Sequence, residues 1–299
     1  MGDQAPLAAV GAGSEDAPDM PRSRAGGGAQ HLLATLLGSY GIGRAEPVPA
    51  GMFPQLLAEF GISPAGARNA LSRVARRGLL EPVGAGRSRA YRMTDAAQAV
   101  QEQRSRQFVT FGDPPPPWDG KWTLVLYSVP EDDRTLRQAL RTRLTRAGFG
   151  AMRDGVWGTP RDRRTEAAEV MGLIQPSPAA VLRAELVASS ASFPDLNRMF
   201  PLAALRAAYE EFIAGFGPVR DRLRDGTVGP PEALVTRTRL MDTWREFADA
   251  DPDLPDDLLP DGWPRGTARA VFTELDEALR SLALRRLRQL LGPGHFAAG

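Results

Sequence analysis

The sequence contains no cysteine, one lysine, two histidines and only 7% aromatic residues. The absence of thiols excludes disulfides, thiolate metal sites and a cysteine nucleophile, and fits a bacterial cytoplasm, where disulfides are rare. Two histidines supply too few nitrogen ligands for zinc chemistry, so no metal site and no cofactor are expected. No stretch approaches the roughly 18 to 20 apolar residues of a transmembrane helix, which argues against a membrane partner. The fragments GAGSED and GAGRSR are too incomplete to serve as dinucleotide or phosphate loops.

What is present is ordinary globular material in bulk and unusual material in place. A chain of 299 residues with 42% hydrophobic and 24% charged content has enough substance for two or three domains with buried cores. Residues 1–28 are rich in Gly, Ala and Pro and carry four acids against two arginines, the composition of a disordered leader rather than of a secretory signal. The formal net charge is only +1, yet residues 29–107 hold ten arginines against five acids, a local +5. The leader and the chain beyond residue 107 each come to −2. Arginine, alanine and glycine are abundant throughout, as a GC-rich genome gives, so placement carries more weight than number.

The most informative stretch is Gly61–Met93, GISPAGARNALSRVARRGLLEPVGAGRSRAYRM. Ser63 suits an N-cap, Pro64 the first helical position and Gly78 a C-terminal stop. Between them Ala67, Ala70, Leu71 and Val74 repeat at helical spacing and form an inward stripe. Asn69, Ser72, Arg73 and Arg76 repeat on another face, with Arg68 beside them. Asn69 suits an adenine edge, Arg73 or Arg76 a guanine edge, and Arg68 and Ser72 a phosphate. The segment after Gly78 reads as a hairpin whose Gly-Ala-Gly tip carries Arg87 and Arg89, cations suited to phosphate or minor-groove contact. Two shorter amphipathic helices precede it, one through Leu33, Leu36, Leu37 and Tyr40, the other through Phe53, Leu56, Leu57 and Phe60. Together they predict a winged helix-turn-helix bound to double-stranded DNA over residues 29–112.

Thr94 suits the cap of a further helix to about Phe108, and Pro114–Pro117 form a stiff spacer. Beyond it, WTLVLYSVP is a strand and Asp132 or Asp133 opens a helix with Leu136, Leu140 and Leu144 inside. Two short strands flank an Arg153-Asp154-Gly155 turn, and a helix near Glu166–Leu173 with a strand over Ala180–Val187 completes β-α-β-β-α-β, the ferredoxin-like order, for residues 113–190. Residues 191–299 turn helical, with runs over Pro201–Phe216, Pro231–Phe247 and Thr267–Leu291. The Asp- and Pro-rich segment ADADPDLPDDLLPDGWP between the last two wraps over a core. The predicted class is α+β. One winged helix contacts too few base pairs for an operon-specific site, so a homodimer on paired half-sites is expected.

The order of these parts resembles the PaaX family of bacterial transcriptional repressors. The likeness runs from about Ala29 to Leu291 and rests on ARNALSRVARRGLLEP, WDGKWTLVLYSVPEDDR, GFGAMRDGVWGTPR and TRTRLMDTWREFADADPDLPDDLLPDGWP. It implies a homodimeric, non-enzymatic repressor of a phenylacetate-type catabolic operon, released by an aryl-CoA thioester such as phenylacetyl-CoA or another acyl-CoA. The family often has histidine where this chain has Asp242. A thioester of this kind needs cations for phosphates and an apolar wall for its acyl group. Candidates are Arg137, Arg141, Arg153, Arg161 and Arg237 for the former, and Trp157, Trp244 and Trp263 for the latter. Two alternatives stand beside this reading. One is a regulator without small-molecule control. The other is a metal-dependent nuclease, since the central block also resembles the ferredoxin-fold nucleases of CRISPR adaptation; those place an aspartate at the end of the first strand, where this chain has Ser128.

Overall fold

The computed structural model describes residues 28–113, 117–130, 132–187 and 194–296. The leader through residue 27, the prolines at 114–116 and Glu131 lie outside the described residues, as does the side chain of Arg87. The chain is α+β, with two antiparallel sheets among its helices. It divides into two compact units, one of residues 112–211 with 249–268, the other of residues to 111 with 212–248 and 269 onward.

The second of these begins with α1 (Ala29–Tyr40), a two-residue strand β1 (Val48–Pro49) and α2 (Met52–Ala58). After a turn at Gly61, whose φ of 75° lies where side chains are disfavoured, comes α3 (Pro64–Arg76). The Ser63 hydroxyl accepts from the Gly66 amide at 3.1 Å and so caps α3, with Pro64 in its first turn. The hairpin follows as β2 (Leu80–Val83) and β3 (Ala90–Met93), joined by a 3-10 turn over Gly86–Ser88. Sequence periodicity did not reveal β1, which pairs Val48 with Tyr91 and extends the hairpin to three strands in the order β1-β3-β2. Two residues are too few for an alternating pattern to register. Thr94 caps α4 (Asp95–Thr110), accepting from Ala97 N at 3.2 Å.

In the other unit, β4 (Lys121–Tyr127) is followed by α5 (Arg134–Arg146), capped by the Asp133 carboxylate on Leu136 N at 2.9 Å. Strands β5 (Gly150–Arg153) and β6 (Val156–Thr159) turn at Asp154-Gly155. Gly155 has φ 70°, and a Cβ there would lie 2.5 Å from the Tyr127 carbonyl oxygen, so only glycine fits. Helix α6 (Arg164–Ile174) and strand β7 (Ala179–Glu185) complete the block. The strand order is β5-β6-β4-β7, all antiparallel, with Val125, Trp157, Leu140, Leu144, Phe149, Ala167 and Val170 packed between sheet and helices.

A four-residue helix α7 (Leu196–Met199) leads to α8 (Leu202–Arg224), α9 (Pro230–Ala250) and α10 (Arg265–Leu291). Helix α8 runs eight residues past the expected end at Phe216 and carries Pro218 inside it. Helix-breaking signals at Gly215, Gly217 and Pro218 are overridden there. The tail residues are shared by both units. Leu254 of the segment between α9 and α10 packs with Phe200 and Leu202 in one unit. In the other, Leu234, Ala283, Leu287, Leu291 and Phe296 enter the same core as α1, α2 and α3.

Candidate nucleic-acid interface

The sequence of α3 divides the helix into a face that packs and a face that is exposed. Ala67, Ala70, Leu71 and Val74 are buried against α1 and α2, and Arg68, Asn69, Ser72, Arg73 and Arg76 are all exposed. At 100° per residue these five fall within an arc of about 140°, so their side chains leave the helix on one side. Among the described residues no carboxylate is ion-paired with Arg68, Arg73 or Arg76. Glu59, the C-cap residue of α2, is held by Arg286 of α10 at 2.7 Å and 3.1 Å, a two-pronged bond that keeps it engaged by its own partner. Arg89 beyond the hairpin turn is exposed, with its guanidinium 6.0 Å from the Tyr91 ring centroid. Arg87 sits in the 3-10 turn, its side chain outside the described residues.

Cations elsewhere are treated differently. Arg237 on α9 is buried and forms an ion pair with Asp276 of α10 at 2.8 Å while lying 5.0 Å over the Tyr40 ring of α1; Arg280 takes the second oxygen of Asp276 at 2.6 Å. Arg245 donates to Ser39 Oγ at 2.9 Å and lies 5.1 Å over the Phe108 ring, and burial pulls its pKa down to about 10. Asp242, at the position where the resemblance leads to histidine, bonds His31 Nε2 at 2.7 Å and Thr35 Oγ1 at 2.9 Å, so it fastens α1 to α9. In the other unit Arg265 is buried and gathers Asp256 at 2.6 Å, the Leu254 carbonyl at 3.0 Å, Asp253 at 3.4 Å and Asp251 at 3.8 Å. Burial raises the pKa of Asp251, which accepts from Tyr209 Oη at 2.6 Å; burial likewise raises that of Tyr209.

The eight effector candidates are divided between the two units. Arg137 and Arg141 lie on α5 and Arg153 at the end of β5, while Trp157 is buried beneath α5 and donates from Nε1 to Tyr127 Oη at 3.0 Å. Arg161 donates from Nε to the Asp253 carbonyl at 2.6 Å, and burial lowers its pKa. Trp263 packs beside Leu254, with Arg206 5.2 Å over its ring. Arg237 and Trp244 belong to the other unit, where Trp244 is fully buried and stacks on Phe272 at 4.8 Å. Ser128 follows β4, and Asp133 of the neighbouring acids is occupied as the cap of α5.

Sequence reasoning missed the partnership between the tail and α1–α3. Leu287 and Leu291 show helical periodicity, which marks a buried stripe without naming what buries it. The Glu59–Arg286 pair spans 227 residues and leaves no local trace. On α10, Phe272, Leu275 and Leu279 are buried within the chain and Leu282 is partly buried.

These parts define an α+β protein that matches its buried Arg237 and Arg265 to acids and presents an exposed face of Arg, Asn and Ser on one helix beside a hairpin. Its sequence matches three family models in order: a PaaX-like protein over residues 28–97, the PaaX protein central Cas2-like domain over 115–192 and a PaaX-like protein C-terminal domain over 200–289. It is 27% identical over 265 residues to the transcriptional repressor PaaX of Escherichia coli (strain K12), covering 85% of this chain and 81% of that protein. Its fold is similar to that of an uncharacterized protein from Mycobacterium tuberculosis, with a TM-score of 0.55 and 24% identity over 86% of this chain and 97% of the other. The chain belongs to the PaaX family.

Proposed function

We propose that this chain is a DNA-binding transcriptional repressor in which α1–α3 and the hairpin act as a winged helix-turn-helix and the βαββαβ block as a ferredoxin-like domain. The observation that carries the reading is the exposed face of α3, where Arg68, Asn69, Ser72, Arg73 and Arg76 share one side without paired carboxylates. Similarity to a transcriptional repressor supports it. Asn69 and Arg73 or Arg76 read base edges, since amide and guanidinium groups match adenine and guanine bidentately in the major groove. Arg68 and Ser72 hold phosphates, and Arg89 with Arg87 reaches the adjacent backbone. The active form is a homodimer, because paired half-sites about one helical turn apart supply the specificity that one recognition helix lacks.

The regulating signal in this proposal is an aryl-CoA thioester that favours a DNA-free state of the dimer, since a ligand shifts an equilibrium only by its differential affinity for the two states. Arg141 and Arg153 retain the chemistry for its phosphates, whereas Arg161 and Arg237 have acidic partners in Asp253 and Asp276. Selection from a random duplex pool by the purified full chain tests the reading, followed by gel retardation with phenylacetyl-CoA and other acyl-CoAs. The expected result is an enriched inverted repeat that is released by an aryl-CoA. No enrichment refutes DNA recognition; enrichment without release by any acyl-CoA refutes the effector.

A further inference from the structure

The exposed face of α5 forms a second cationic surface, in a part of the chain whose overall charge is negative. Helix α5 has thirteen residues, five of them arginines and none acidic. Leu140 and Leu144 are buried, while Arg134, Thr135, Gln138, Arg141, Arg143, Thr145 and Arg146 are exposed. Every exposed polar side chain in this set can donate a hydrogen bond, and none brings a negative charge. By helical geometry Arg134 and Arg141 fall at one edge of the exposed arc with Thr145 and Gln138 beside them, and Arg143 at the other with Arg146 and Thr135 beside it.

A helix face that is merely solvated usually mixes charge signs, because like charges three or four residues apart repel. On α8 and α10 the arginines do find acidic partners: Arg206 pairs with Glu210, Arg220 with Glu274, Arg222 with Glu232 and Arg280 with Asp276. Among the described residues Arg134, Arg141, Arg143 and Arg146 have no ion pair and no side-chain hydrogen bond. Arg134 stands at the first helical position, where the helix dipole disfavours a cation. The same dipole favours Arg143 and Arg146 in the last turn, but Arg134 and Arg141 have no partner among the described residues, and an external polyanion would complement all four.

We propose that α5 grips the phosphate backbone of duplex DNA, as a sequence-independent contact additional to the base reading assigned to α3. Cations on both edges of one helical arc reach phosphates on either side of a groove about 12 Å wide. The proposal rests on the reading of the chain as a DNA-binding protein, and its test separates the two.

The test uses the full chain, a duplex that the wild type selects from a random pool, and a scrambled duplex of the same length. Affinities are measured by fluorescence anisotropy across a salt series. The triple variant Arg134→Gln/Arg143→Gln/Arg146→Gln keeps helix-compatible side chains and leaves the effector candidates Arg137, Arg141 and Arg153 in place. The expected result is weaker binding of both duplexes by a similar factor, a salt slope shallower by about 2 to 3 units and an unchanged unfolding midpoint. A salt slope equal to that of the wild type overturns the proposal, and so does a variant weakened only toward coenzyme A, which would assign the surface to a small anion. Arg73→Ala is measured in parallel. If it loses discrimination while the triple variant matches the wild type, α3 keeps its role and α5 loses the one proposed here. If it changes nothing while the triple variant shows the shallower slope, the reverse holds. A wild type that binds neither duplex overturns both.

Discussion

Arg237 and Arg73 make an instructive pair. Arg237 is buried, ion-paired with Asp276 and stacked over Tyr40; Arg73 is exposed on α3 without an ion-paired carboxylate among the described residues. One charge is neutralised inside the fold and fixes how α9 meets α10 and α1. The other is left for something outside the chain. The same residue type therefore has opposite expected phenotypes, and the contrast extends to regions: the α9–α10 pairs hold a unit together, whereas α3 presents Arg68, Arg73 and Arg76 without an ion pair among the described residues.

Breaking the buried side of this contrast should have the largest effect. Arg237→Ala leaves Asp276 buried with only Arg280 beside it and is expected to lower stability by about 3 to 5 kcal/mol in denaturant unfolding. A Met at 237 combined with a Leu at 276 should recover much of that loss, because the unpaired charge rather than the missing bond is the main cost. Next comes Leu287→Ala, which removes a fully buried side chain from the core that α10 shares with α1–α3. A loss of about 2 to 5 kcal/mol is expected, with unfolding of the α1–α3 region in the same transition; melting of that region unaffected would separate the tail from it. Ser63→Ala removes the cap of α3 and should cost about 1 kcal/mol, since Gly66 N loses its acceptor. On the open side, Arg89→Ala should leave the unfolding midpoint unchanged, weaken binding to all duplexes alike and make the salt slope shallower by about 0.9. A stability loss in that variant would move Arg89 to the other half of the comparison.

The local parts of this fold were legible because their signals are short-range. Ser63, Pro64, the stripe through Ala67, Leu71 and Val74, and the Asp154-Gly155 turn each act within a few residues, and the structure has them as caps, core and hairpin. The exposed set on α3 was legible for the same reason. What the sequence hid was long-range. Leu287 and Phe296 could be recognised as apolar, yet their place in the core with Phe53 and Val74 depends on the whole chain. The extension of α8 through Pro218 ran against local propensity, and β1 was too short to give a pattern. The effector candidates show the limit most clearly: arginine and tryptophan mark a pocket and a core alike, and Arg161, Arg237 and Trp244 have neighbours inside the fold.

The central claim is that α3 reads base edges, and a single-substitution scan tests it most directly. Binding of the wild type and Arg73→Ala would be measured on a selected duplex and on versions of it with each base pair changed in turn. The account predicts that the wild type loses about 1 to 3 kcal/mol at one guanine position and that Arg73→Ala no longer distinguishes the bases there while its preferences elsewhere persist. An Arg73→Ala profile identical to that of the wild type at every position would contradict it.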